Sequence, residues 1–119
     1  MAVIPWGVVT TPVDGQAMKL VRWVNLTDGD TAVPFVVAAY SDKSVQFVSN
    51  GGSGITIQGS LDTDPATADW ETLNDPQGNP LLATTDKIEN ILEHCYQLRP
   101  SIGASVSGAT VWLLLASTR

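Results

Sequence analysis

The stretch "ITIQGSL", residues 55–61, constrains the fold more than any other part of the chain. Ile55, Ile57, Gly59 and Leu61 share one face, and Thr56, Gln58 and Ser60 share the other. That period of two marks a strand with one face on a core and one toward water. Similar short runs recur. "KLVRWVNLT" (Lys19–Thr27) is rich in branched and aromatic residues and stops at the turn signal Asp28-Gly29-Asp30. "VPFVVAAY" (Val33–Tyr40) is apolar on both faces, which predicts a strand buried on both sides, with Pro34 at its start or on a bulge. "SVQFV" (Ser44–Val48) leads through the turn "SNGGSG" into the first stretch. Tyr96–Ile102 alternates Tyr96, Leu98, Pro100 and Ile102, and Thr110–Ala116, apolar throughout, is expected to be central.

One segment carries a different period. In "TTDKIENILEHC", Ile88, Ile91, Leu92 and Cys95 fall at i, i+3, i+4 and i+7, one stripe of a helix. Thr85 or Asp86 can cap its start, and Asp86 with Glu89 approximates a capping box. The expected fold class is therefore all-β: an antiparallel β-sandwich or jelly-roll-like domain of about seven or eight strands, with one short helix near residues 86–94. At 119 residues one domain is expected. Residues 1–18 form an extended arm or edge strand, and 19–119 form the β-sandwich domain.

Composition narrows the function classes. The formal net charge of -6, with only six Lys and Arg, argues against a direct nucleic-acid partner, because phosphate contacts need cations. Charged residues make up 15% and apolar ones 44% of the chain, a surface so sparsely ionic that other protein is expected to cover part of it. Cys95 stands alone, so no intrachain disulfide forms, consistent with folding in a reducing cytoplasm. The start "MAVIPWGVV" lacks a basic n-region and does not read as a signal peptide. The longest apolar run, Val111–Ala116, is far short of the ~20 residues a bilayer-spanning helix requires, so no membrane partner is expected.

Each candidate for chemistry in the sequence also has a plainer reading. Asp62, Asp64 and Asp69 follow the alternating strand. Two exposed carboxylates at the Asp62–Asp64 spacing repel by only about 0.6 kcal/mol in water-like dielectric, so no cation is needed to hold the loop. Calcium would want six to eight oxygens in a glycine-punctuated pattern that is missing here. The Asp64-Pro65 step reads as turn chemistry. Glu89, Glu93 and His94 make a weak zinc set with a single histidine, and a solvated helix face explains them. Cys95 reads as a small core residue. No Gly-x-Ser-x-Gly elbow or P-loop is present. The chain is read as no enzyme, with no catalytic residues, no cofactor and no metal.

Four tryptophans are generous for this length. Trp23, Trp70 and Trp112 are expected in or near the core, the rival reading being a sugar-stacking platform on a carbohydrate- or receptor-binding β-sandwich. Trp6 differs, because it lies in the apolar, proline-interrupted "AVIPWGVVTTPV". That arm either forms an edge strand of its own domain or reaches onto a neighbouring subunit. Val3, Ile4, Trp6, Val8 and Val9 are the candidate protein-interface residues, since such a stretch is adhesive unless covered.

Between residues 54 and 102 the sequence resembles small structural proteins of tailed bacteriophage virions. The similarity is carried by Gly59-Ser60-Leu61-Asp62, Trp70-Glu71-Thr72-Leu73, the turn Asp75-Pro76-Gln77-Gly78-Asn79, and Leu98-Arg99-Pro100. The resemblance implies a capsid cement (decoration) protein or, alternatively, a tail or head-completion component. It further implies a homodimer or homotrimer, the major capsid protein as partner, and a place on the virion's capsid surface after synthesis in the host cytoplasm.

Overall fold

Almost every alternating run becomes a strand. The computed structural model describes residues 2–9, 18–48 and 51–116. In chain order the strands are β1 (Val3–Ile4), β2 (Gly7–Val9), β3 (Met18–Leu26), β4 (Thr31–Ala32), β5 (Phe35–Val36), β6 (Asp42–Val48), β7 (Ile55–Ser60), β8 (Glu71–Thr72), β9 (Leu82–Ala83), β10 (Lys87–Ile91), β11 (Gln97–Ile102) and β12 (Ala109–Ala116). One five-stranded sheet runs β10-β6-β12-β3-β2. A second contains β5-β11-β7-β8, with β9 also paired to β7. Both are antiparallel, while β1 and β4 form a small parallel pair. Among the described residues there are twelve strands instead of the expected seven or eight, because five of them are two-residue pieces contributed by loops. β12 is central, between β6 and β3, as its apolar run requires.

The core follows from the alternation. Val111, Leu113 and Leu115 of β12, Val21 and Trp23 of β3, and Val45 and Phe47 of β6 point inward from one sheet. Ile55 and Ile57 of β7 and Leu98 of β11 join them from the other in one cluster. Trp23 is fully buried, and its indole N–H donates to the Val33 carbonyl at 2.8 Å, so no polar group is stranded. Pairing with β12 shifts register between Ala109 and Val111, and Asn25 takes a left-handed φ of 58° opposite that step. The extra residue lets Trp23 and Leu26, of opposite parity, both face inward.

Three segments depart from expectation. No helix occurs among the described residues, and 87–91 form an edge strand on β6. Ile91 is buried, but Ile88 and Leu92 are each 65% exposed, so the helical stripe is split across two faces. Two isolated turns of helix are marginal in water, whereas the open edge of β6 offers partners to every second backbone group. The run Val33–Tyr40 yields only β5, Phe35–Val36, directly after Pro34. Val36 is 46% exposed, and a turn follows in which the Tyr40 N–H donates to the Val37 carbonyl. Leu61 also leaves the core face: the chain turns at Ser60, whose hydroxyl accepts from the Asp62 N–H at 3.1 Å.

Candidate interaction surface

Residues 2–9 of the N-terminal arm are stitched to the rest of the chain. The Thr31 N–H donates to the Ala2 carbonyl and the Val33 N–H to the Ile4 carbonyl, while β2 pairs with β3 from Gly7↔Arg22 to Val9↔Leu20. Val3–Ile4 and Gly7–Val9 thus pair as short strands within this chain, while residues 1 and 10–17 of the expected arm lie outside the described residues. The side chains of residues 2–9 remain largely outside. Val3 is 69% and Val8 56% exposed, Ile4 packs against the core, and Val9 is half-buried. Trp6 lies edge-on to Phe35, with ring centroids 4.8 Å apart, and donates through Nε1 to the Pro34 carbonyl at 3.2 Å. The indole is held in place with part of its surface free.

A second apolar area lies on the outer face of the sheet that ends in β10. Register places Leu20, Leu114 and Ser44 in one row and Arg22, Trp112, Gln46 and Ile88 in the next. Leu20, Trp112, Leu114 and Ile88 border a shallow depression of about 340 Å³. The Arg22 guanidinium lies 5.0 Å from the Trp112 ring centre, and its charge keeps that end of the face wet.

The aspartate loop joins β7 to β8 in the other sheet. Asp62 accepts from the Asp64 N–H at 2.9 Å and from the Thr67 hydroxyl at 3.2 Å, and Asp64 accepts from the Ala66 N–H at 2.9 Å. These are Asx turns, in which a carboxylate closes a ring with backbone two residues on. Buried Gln97 donates to the Asp62 carbonyl at 2.8 Å and pins the loop to β11. Trp70 covers the Arg99 guanidinium at 4.2 Å, and Arg99 donates to Gln58 at 3.1 Å. Burial pulls the Arg99 pKa below its ordinary value.

A cleft of about 420 Å³ opens beside this loop, with Asp62, Asp69, Glu71, Glu93, His94 and Cys95 on its walls. Two of its carboxylates have structural work: Asp62 holds the loop turn, and Glu93 accepts from the Asn74 N–H at 2.5 Å. Glu89, the remaining carboxylate of the weak zinc set, sits 3.5 Å from Lys87 instead. Among the described residues no group of three or more His, Cys, Asp or Glu side chains is arranged to hold a metal. Burial pushes the Cys95 thiol up, Lys43 draws it back, Glu93 adds to the rise and a backbone hydrogen bond at Ser60 lowers it. The net rise leaves a neutral thiol rather than an activated thiolate. What sequence reasoning missed is the outer sheet face. Its signal was present in Leu20, Trp112 and Leu114, apolar residues at the positions that alternate with the core.

No family model matches the chain, and no curated protein matches it in sequence. Among solved structures, it is similar to the SPBc2 prophage-derived protein YomS, with a TM-score of 0.59 and 16% identity over 92% of this chain and 99% of that one. Protein NMB1881 from Neisseria meningitidis aligns with a TM-score of 0.43 and 12% identity, over 94% of this chain and 83% of that one. A cupin 2 domain-containing protein from Halorhodospira halophila aligns at 0.46 and 9%, over 96% and 64%. At 16% identity, the first of these likenesses is one of fold.

Proposed function

We propose that this protein is a non-enzymatic virion structural protein, a capsid cement or decoration protein that binds the assembled capsid lattice through protein–protein contacts. The observation that carries the reading is apolar surface left over after the core is complete. Val3, Trp6 and Val8 line one edge and Ile88 and Leu114 stand on an outer face, all more than a third exposed, around a core that already buries Val111, Leu113 and Leu115 fully. Surfaces of this kind mark sites of protein contact. Support also comes from the fold shared with a prophage-derived protein and from the virion-protein pattern of residues 54–102.

The mechanism needs no chemistry. A ligand that binds the assembled lattice and not its separated parts stabilises assembly by mass action. The chain exposes 6429 Å², so an interface of about 800 Å² per partner leaves room for both a lattice contact and a self-contact. Linked copies then hold the lattice with the gain of multivalency. The site residues are Val3, Ile4, Trp6, Val8 and Val9, the partners are the major capsid protein and further copies of this chain, and the place is the capsid surface. The glycan-binding alternative has weaker support: Trp23 is in the core, and Arg22 and Arg99 lie against Trp112 and Trp70. Capsids assembled with and without this protein test the proposal. Decorated shells are expected to melt at higher temperature; identical melting curves with no bound protein would reject it.

A further inference from the structure

The edge of the β10-β6-β12-β3-β2 sheet carries an inference about how copies meet. β10 is the longest edge strand among the described residues. It spans five residues, against three for β2 and two each for β5 and β8. One side of its backbone bonds to β6, and the other faces away from the sheet. Folded proteins usually blunt such an edge with charges aimed toward the core side. β10 has two of them, Lys87 and Glu89, on the same side as buried Ile91. They are opposite in sign and two residues apart, and they already sit 3.5 Å from each other.

That spacing makes the edge self-complementary in one register. Antiparallel pairing of two identical strands on one continuous sheet requires the two paired residue numbers to share parity, or the core faces would end on opposite sides. With the dyad at Ile88, Lys87 stands opposite the second copy's Glu89, and Glu89 opposite its Lys87. Directly opposed side chains in such a pair are close enough to interact, and opposite charges there stabilise. Ile88, 65% exposed on the outer face, meets its own copy at the dyad. Moving the dyad to Glu89 sets two carboxylates face to face, which is unfavourable. The charges that would block an arbitrary strand therefore favour this register over the one centred on Glu89.

We infer that two copies of this chain associate edge to edge through β10, with Ile88 on the twofold axis and reciprocal Lys87–Glu89 pairs beside it. The two five-stranded sheets become one of ten strands. The outer apolar faces bearing Ile88, Trp112 and Leu114 then lie side by side, doubling the surface available to a third protein. This names the self-contact that the capsid role calls for. It rests on that reading only for its purpose, since association is measured in solution without any capsid.

The experiment is sedimentation equilibrium of the full chain across a wide concentration range, with three variants. The unmodified chain is expected to form a dimer. Glu89→Lys and Lys87→Glu each place like charges opposite one another and should weaken the dimer about ten-fold or more. The double variant Lys87→Glu/Glu89→Lys restores opposite charges and should return the association to near its original strength. Circular dichroism on each variant checks that it is folded. A chain monomeric throughout overturns the inference, as does a dimer indifferent to the single variants or not rescued by the double. A chain monomeric alone, whose β10 edge takes up a strand of some other protein, overturns it too. Capsid binding by a monomeric chain would leave the proposed function standing without this interface.

Discussion

Gly59 lies where β7 passes closest to the loop after β10. A methyl group built on its Cα would stand 2.9 Å from Leu73 Cδ2 and 3.0 Å from Cys95 Sγ, closer than packed carbons and sulfur tolerate. Both neighbours are anchored, Leu73 in the core and Cys95 against it. Gly59→Ala should therefore destabilise the fold by about 1–3 kcal/mol, as overpacking does, read as a lower urea midpoint at unchanged slope. The same contact governs Cys95. Burial, opposed by Lys43 and assisted by Glu93, raises its pKa in the folded chain. The unfolded chain loses this proton near pH 8.5 and the folded chain only at higher pH. Between those values the folded state holds more protons, so stability falls with rising pH. The contribution is whole below about pH 8.5 and vanishes as pH climbs through the folded value. Urea midpoints measured upward from neutral pH should drop more steeply for the unmodified chain than for Cys95→Ala; parallel slopes contradict the assignment.

Among the elements, β10 separates strand from helix by mutation. Ile91 is 2% exposed and Ile88 65%. Ile91→Ala should cost about 2–4 kcal/mol, and Ile88→Ala less than about 0.5 kcal/mol, measured by chemical denaturation at low protein concentration. A helix buried along its apolar stripe would make both costly, so two large losses would contradict the strand. The segment misleads because its apolar residues satisfy both periods: Ile88, Ile91 and Leu92 fit a helical stripe, while Lys87, Glu89 and Ile91 fit one face of a strand. Only the free edge of β6, invisible in the local sequence, decides between them. β7 was legible because Ile55 and Ile57 alternate with Thr56 and Gln58 and admit a single inward face, and the central place of β12 because its run is apolar throughout, although which of its faces turns inward was not. The bulge at Asn25 and the shortening of Val33–Tyr40 to β5 depend on partners distant in the chain. Of the candidate interface residues, the exposure of Val3 and Val8 could be anticipated from proline-interrupted apolar sequence, but their pairing within the domain could not. The aspartates were legible as turns, since Asp62 and Asp64 close rings with backbone two residues on.

At the scale of the whole molecule, the proposed capsid role rests on the balance of charge and apolar surface. A formal charge of -6 keeps the free chain soluble, while the arm and the outer sheet face hold the apolar groups back from the core. Introducing a charge on the arm, as in Val8→Asp, should weaken attachment to capsids with little loss of fold stability, because Val8 is 56% exposed; capsid pelting by centrifugation with densitometry of the bound fraction checks this. Cement action depends on discriminating an assembled shell from its dissociated subunits, and that discrimination can be titrated. Purified protein mixed with intact capsids, and in parallel with unassembled capsid subunits, should saturate the shells at a fixed stoichiometry and leave the subunits unbound. No binding to shells, or equal affinity for shells and free subunits, would contradict the account.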